Sequence, residues 1–381
     1  LFTPTPLSPL RAFPRPPQDN GWGVHWAPTL FAQPKEVVDY FVGEAQSMGI
    51  KWVKFLNGDS PKLDHEYLVR LLVARGLMPI MRVYKPFNEP YEHLLELTRT
   101  AVLLGVSYIE LYNEPNIAGR AGGWREDERI SVTRLVDLWL PAADAITQAG
   151  GYPALPALAP GGDYDDLKFL HEFLDELKAR GKADVLRRAW LPLHNYFLNH
   201  PIDYPYDDVN LHSTLLSADE SARRQLTPAQ VNAINRARQI SRLPRAQGGY
   251  YVADTIHGDS NSFRKFEAYE RIFTERFGYE LPIISTEGGA LAGNQDDPRY
   301  PPVTDDDVTT MTLYAYRYIL EQAPAYYFAF TPWLIANQAG GHPDPRFESH
   351  AWYKDRNGAT LPIVPALKQN PLIGQTRRYT P

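Results

Sequence analysis

The sequence predicts an α/β chain folded as a (β/α)8 barrel with a long loop insertion after the sixth strand. Two observations lead there. Short apolar runs of strand character alternate repeatedly with segments of helical period, the pattern of a parallel sheet wrapped by helices. At 381 residues, the chain is a normal length for one such barrel with added loops. A doubly wound open sheet shares the alternation but usually carries a Gly-rich phosphate loop after an early strand, and none is present.

Taken in order, residues 1–20 are Pro-rich, with Thr3-Pro4-Thr5-Pro6 and Arg15-Pro16-Pro17. They read as an extended tether ahead of a barrel over 21–381. Residues 22–26 predict the first strand. Pro34 then opens a helix whose apolar residues Val37, Val38, Phe41 and Ala45 keep helical spacing up to Gly49. Strand two covers 50–56, a helix 64–75, strand three 77–84 and a helix 89–104 that stops at Gly105. Strand four covers 106–112 and is followed by a helix over 130–148. Strand five covers 156–159, the next helix 165–178 and strand six 189–196. A polar segment over 197–261, with a helix at 228–240, breaks the rhythm and reads as a loop subdomain over the barrel mouth. A helix over 263–277, strand seven over 281–286, a helix over 305–322 and strand eight over 326–333 complete the set. A loop with Gly340-Gly341 and a short helix over 364–368 close the chain.

Composition removes several classes of function. The formal net charge of −6 is spread without a basic stripe, so nucleic acid is not the expected partner. No apolar run reaches the ~18 residues of a membrane span. The absence of cysteine excludes disulfides, thiolate zinc sites and cysteine nucleophiles. A start at Leu1 and a Pro-rich lead fit a processed chain that is secreted or held at the cell surface, with the cytoplasm as the alternative. No coiled-coil pattern indicates an oligomeric state.

The chemistry concentrates in two stretches. Ile109-Glu110-Leu111-Tyr112 is an apolar strand that ends in Asn113-Glu114-Pro115-Asn116. Proline stops the ladder and pushes the preceding residue toward extended geometry, which fixes Glu114 at a strand end. Far downstream, Leu281-Pro282-Ile283-Ile284-Ser285-Thr286 runs into Glu287-Gly288-Gly289. Strand ends in a barrel converge on one face, so two strand-terminal glutamates suggest the paired carboxylates of glycosidic bond hydrolysis. The other candidates on that face are Trp26, Asn57 and Asp59, Arg82 and Tyr84, Asn113, then His194, Asn195 and Tyr196, and finally Trp333. Trp124 offers a further flat face, whereas Trp22, Trp52 and Trp190 read as core.

These motifs resemble the large clan of retaining β-glycosidases called clan GH-A, or the 4/7 superfamily. The resemblance spans residues 21 to about 337 as architecture plus four short motifs. It implies that Glu114, in the Asn113-Glu114 pair, is the general acid/base and Glu287 the nucleophile. It further implies that Tyr196 contacts the nucleophile, Asn113 holds the sugar 2-hydroxyl, and Trp333 floors the sugar subsite. The implied substrate is a β-linked oligosaccharide or polysaccharide. The chain departs from the clan on strand two, where Lys54 stands in place of a common arginine. Arg82 is placed to steady the nucleophile instead, or Lys54, Arg82 and Glu110 form an ionic layer inside the barrel.

No metal or organic cofactor is expected. His25, His194, His212 and His257 show no His-x-His or His-Glu-x-x-His spacing. The rival from another class is a carbohydrate-binding barrel or surface scaffold without catalysis, favoured only were either glutamate missing.

Overall fold

The strands β1 (Gly23–His25), β2 (Trp52–Gly58), β3 (Met78–Tyr84), β4 (Tyr108–Glu110) and β5 (Tyr152–Pro153) pair in sequence order as one parallel sheet. A second parallel sheet joins β6 (Leu191–Tyr196), β7 (Ile283–Gly289) and β8 (Tyr327–Phe330). The two sheets meet at both edges. Trp22 bridges Phe330, with Phe330 N donating to Gly21 O (3.1 Å) and His25 N to Pro332 O (3.0 Å). On the other side Ala154 bridges Trp190, and Leu155 N donates to Trp190 O (2.9 Å). These facts come from a computed structural model that describes residues 10–241, 243, 255–256, 261–337, 345–354 and 358–377.

Helices α1 (Lys35–Ser47), α2 (Glu66–Ala74), α3 (Leu94–Leu103), α4 (Val132–Gln148) and α5 (Asp166–Ala179) follow the first five strands. Beyond β6 come three short helices, α6 (Asp208–His212), α7 (Ala218–Arg223) and α8 (Pro228–Ile240). Then α9 (Phe266–Phe277) and α10 (Asp305–Glu321) precede β7 and β8, and α11 (Ile363–Lys368) follows them. Local sequence explains the helix starts. Ser131 caps α4 by accepting from Arg134 N, and Thr227 with Gln230 makes a capping box on α8, where Pro228 begins the first turn. The apolar stripe of α4 (Leu135, Val136, Trp139, Ala143, Ile146) is buried against the sheet.

The strands have two different faces. Met81, Val83, Leu191, Leu193 and Ile283 pack in the core shared with the helices. Trp52, Met78, Ile80, Tyr108, Ala154, Trp190, Ile284 and Phe328 form a separate apolar cluster on the inward face, toward the strand beginnings. Alternation then places Lys54, Arg82 and Glu110 on that inward face, one step above the cluster.

Three expectations need correction. The fifth strand pairs at Tyr152–Pro153, not 156–159, because past Pro153 the chain keeps only isolated bridges, at Ala154 and Ala157. The third helix starts at Leu94 instead of 89, since Asp59 takes the backbone N–H groups of Glu92 (2.9 Å) and His93 (3.1 Å) and holds that stretch as a loop. Residues 10–20 are packed, not an extended tether. Phe13 is buried in the inward cluster with its ring 4.9 Å from Tyr152, Arg15 lies 3.3 Å over the Phe328 ring, and Asp19 accepts from Trp52 Nε1 (2.8 Å). An aromatic side chain in this stretch fills the lower end of the sheet interior. The rest of the expected tether, like His257 and the Gly340-Gly341 loop, lies outside the described residues.

Candidate active site

Glu114 stands just past β4 on a contorted backbone. Tyr112 (φ 46°) and Glu114 (φ 47°) both adopt the left-handed region, which non-glycine residues adopt at a cost of roughly 1 kcal/mol or more each. The surroundings hold them there: Glu114 N donates to Ala157 O (2.9 Å) and Tyr112 N to the Tyr91 hydroxyl (3.2 Å). Asn116 clamps the turn by donating to Ala159 O and Tyr164 O and accepting from Ala159 N. Trp124 Nε1 donates to Pro115 O (2.8 Å).

Glu287 is aimed by a bulge in β7. Leu193 pairs with Ser285 but His194 pairs with Glu287, so Thr286 is an extra residue in the ladder. With Ile284 facing inward and Ser285 outward, the bulge returns Glu287 to the inward face. Gly288 follows at φ +146°, where a Cβ would lie 2.7 Å from Asn195 O. Only glycine fits that turn.

Around Glu287 the inward residues form a charged layer. Its Oε1 accepts from Arg82 Nη1 (2.8 Å) and Lys54 Nζ (3.1 Å), and its Oε2 from the Tyr196 hydroxyl (3.1 Å). Lys54 also pairs with Glu110 at 2.8 Å, and Arg82 Nη1 donates to Asn113 Oδ1. Two fixed cations thus face two buried carboxylates. Burial raises the Glu287 pKa, but the charges of His194, Lys54 and Arg82 outweigh it and hold the carboxyl well below its usual range. Glu110 is likewise lowered against its burial by Lys54. Burial, then the charge of Glu287, pushes the Tyr196 phenol up, so it donates as a neutral O–H. His25 is kept neutral by burial and by Lys54. Its Nδ1 lies 2.6 Å from Trp26 O, which can only accept, so Nδ1 carries the proton.

His194 joins the two glutamates. Its Nδ1 is hydrogen-bonded to Glu114 Oε1 (2.8 Å), and its Nε2 lies 3.8 Å from Glu287 Oε1. One oxygen of Glu114, one oxygen of Glu287 and one ring nitrogen of His194 all lie within 4.8 Å of one another. By distance the three could hold a cation, but Lys54 and Arg82 already bring two positive charges to the Glu287 carboxylate and disfavour one. Trp333 stands beside them, only 7% exposed, with its ring 4.4 Å from His25, and it shares an apolar cluster with Tyr196 and Phe347.

Of the residues expected at this face, Glu114, Glu287, Asn113, Arg82, His194, Tyr196 and Trp333 come together. Tyr84 stands higher at the mouth, 37% exposed. Trp26, Asn57 and Asn195 do not join the site. Each is one residue out of phase with the inward face. Trp26 is buried beneath α1, its Nε1 donating to Gln33 Oε1 and its ring edge-on to Phe41. Asn57 holds its own loop through Gly58 O, Lys62 O and Asp64 N. Asn195 donates to Phe263 O and the Tyr327 hydroxyl on the helix side. Trp124 is fully buried. His25 was missed, although its pairing with Lys54 marks it as inward-facing.

No protein-family model matches the chain, and no curated protein matches it in sequence. Solved structures do match in fold. The chain superposes on a family 39 glycoside hydrolase from the gut symbiont Bacteroides cellulosilyticus WH2 with TM-score 0.52 and 13% identity, over 92% of this chain and 63% of that one. It therefore spans under two thirds of that protein's length. Similarity extends to a GH128 endo-β-1,3-glucanase from Sorangium cellulosum (TM-score 0.47, 14% identity, 91% of this chain and 98% of that one). It extends also to an endo-β-1,4-glucanase from Xanthomonas axonopodis pv. citri (TM-score 0.46, 13% identity, 91% and 98%). The fold is one shared with the clan GH-A type of glycoside hydrolase. At these identities it is the fold alone that is shared.

Proposed function

We propose that the chain is a retaining glycoside hydrolase built on a closed (β/α)8 barrel, cleaving a β-linked glycoside by double displacement. The hydrogen bonds across both sheet edges support closure. The observation that carries the function is the approach of Glu114 and Glu287 to within 4.8 Å, oxygen to oxygen. Retaining enzymes hold their carboxyl groups about 5–5.5 Å apart, whereas inverting enzymes leave about 6.5–9.5 Å for a water.

In this reading Glu287 attacks the anomeric carbon, kept ionised by Lys54 and Arg82 and oriented by the Tyr196 hydroxyl. Glu114, oriented by His194, protonates the leaving oxygen. It then takes a proton from the water that hydrolyses the glycosyl-enzyme. Asn113 has its carbonyl held by Arg82, which turns its amide N–H groups toward the sugar 2-hydroxyl. Trp333, backed by His25, offers a flat face to the sugar ring.

A panel of aryl β-glycosides (gluco, galacto, manno, xylo and fuco) tests the reading, with polysaccharides next. Release of the aryl group by the parent chain and its loss in Glu287→Gln is the expected result. Sugar binding without cleavage by the parent chain would instead favour a non-catalytic carbohydrate-binding barrel.

A further inference from the structure

Above the charged layer the strands β2 and β3 leave an unusual pair side by side. Tyr84 lies two residues beyond Arg82 on β3, hence on the same inward face and about 6.6 Å nearer the mouth. It is 37% exposed, and among the described residues its ring and hydroxyl have no hydrogen-bond, ionic or aromatic partner. Its register partner on β2 is Gly58, where an added Cβ would meet nothing within 4 Å. The ground around this pair is rigid. Asn57 pins the loop that follows Gly58, and Asp59 ties that loop to the one after β3 through Lys85 (3.1 Å) and the N–H groups of Glu92 and His93. An unpartnered aromatic ring beside a gap, on a fixed floor, is a surface that gains from stacking on the C–H face of a ring.

We infer that Tyr84 and the open space over Gly58 form a subsite for a second saccharide unit, next to the one that reacts at Glu287. This deepens the hydrolase reading and rests on it: the substrate is an oligosaccharide or polysaccharide whose adjoining sugar stacks on Tyr84, not a simple monosaccharide glycoside. Tyr84 is a specificity-determining residue and takes no part in bond cleavage.

The test compares aryl glycosides of a mono- and a disaccharide built from whichever sugar the parent chain cleaves. Tyr84→Ala should lower kcat/KM about tenfold on the disaccharide, mainly through KM, and less than about twofold on the monosaccharide. Gly58→Leu, which fills the gap, should do the same, and Tyr84→Phe should keep the parent values. Equal losses on both substrates, or none on either, would overturn the subsite. Should the parent chain cleave no glycoside, the hydrolase reading fails on its own terms and the subsite is read by affinity electrophoresis. The gels contain carboxymethylcellulose, laminarin, xylan or galactomannan. Retardation of the parent chain that Tyr84→Ala abolishes upholds it, and equal mobility of the two in every gel sinks it.

Discussion

Lys54 Nζ lies between two buried carboxylates, 3.1 Å from Glu287 and 2.8 Å from Glu110, and nothing in its position is open to solvent. Replacing it with Met leaves Arg82 and His194 to face both acids. Breaking a buried pair in this way costs about 3–5 kcal/mol. The sign with pH follows from the lowered carboxyls. Stability that depends on ionised Glu287 and Glu110 is present above their ordinary value near 4.5 and lost as pH falls through the lowered folded values. The deficit of Lys54→Met, measured by denaturant titration, should therefore be full at pH 7 and shrink below about pH 4. Its activity profile should show an acid limb at higher pH than the parent's. A deficit that does not change with pH would remove Lys54 from the electrostatic account.

The role given to Glu114 predicts a dependence on the leaving group. In Glu114→Gln, kcat/KM on an alkyl or sugar leaving group should fall about 10²–10⁴-fold, the usual worth of a positioned acid. A dinitrophenyl glycoside, which departs without a proton, should lose far less in that parameter. Equal losses across leaving groups would show that Glu114 does not supply the proton.

Thr286 tests the bulge. Deleting it removes the extra residue, and plain alternation after the outward-facing Ser285 then keeps the glutamate on the inward face. We expect activity to survive, though lowered, with parent-like far-UV circular dichroism. Abolished activity with parent-like circular dichroism would mean that Thr286 does more than take up the extra place in the ladder.

Phe13 is the predicted foot of the fold. Phe13→Ala empties the lower end of the inward cluster and should cost about 3–5 kcal/mol of stability. Because the cluster lies below the charged layer, kcat at 25 °C should stay within about twofold of the parent. A variant as stable as the parent would contradict the packed reading of residues 10–20.

Much of this is legible before the structure, and the misplaced site residues share one cause. The apolar runs mark every strand but the fifth, and the two glutamates stand out because each closes an apolar run just before a proline or a glycine pair, although β4 itself stops at Glu110 and β7 runs on to Gly289. Candidates at strand ends, however, were gathered by position along the strand and not by parity. His25, Lys54, Arg82, His194 and Tyr196 share the inward phase, while Trp26, Asn57 and Asn195 fall on the other. The Thr286 bulge shows why parity alone would not have sufficed, since counting from Ile284 puts Glu287 on the wrong face only if Thr286 is given no extra place. The packing of Phe13 left no local signal either, because a proline-rich stretch has the same composition whether or not one aromatic finds a hole to fill.

Proton NMR of the first sugar released from a cleaved β-glycoside tests the central claim most directly. Attack by Glu287 followed by water aided by Glu114 inverts the anomeric carbon twice, so the β-hemiacetal should appear first and the α-anomer only later, by mutarotation. The α-anomer as the first product would contradict the account, because it requires a single displacement by water and leaves no place for Glu287 as nucleophile.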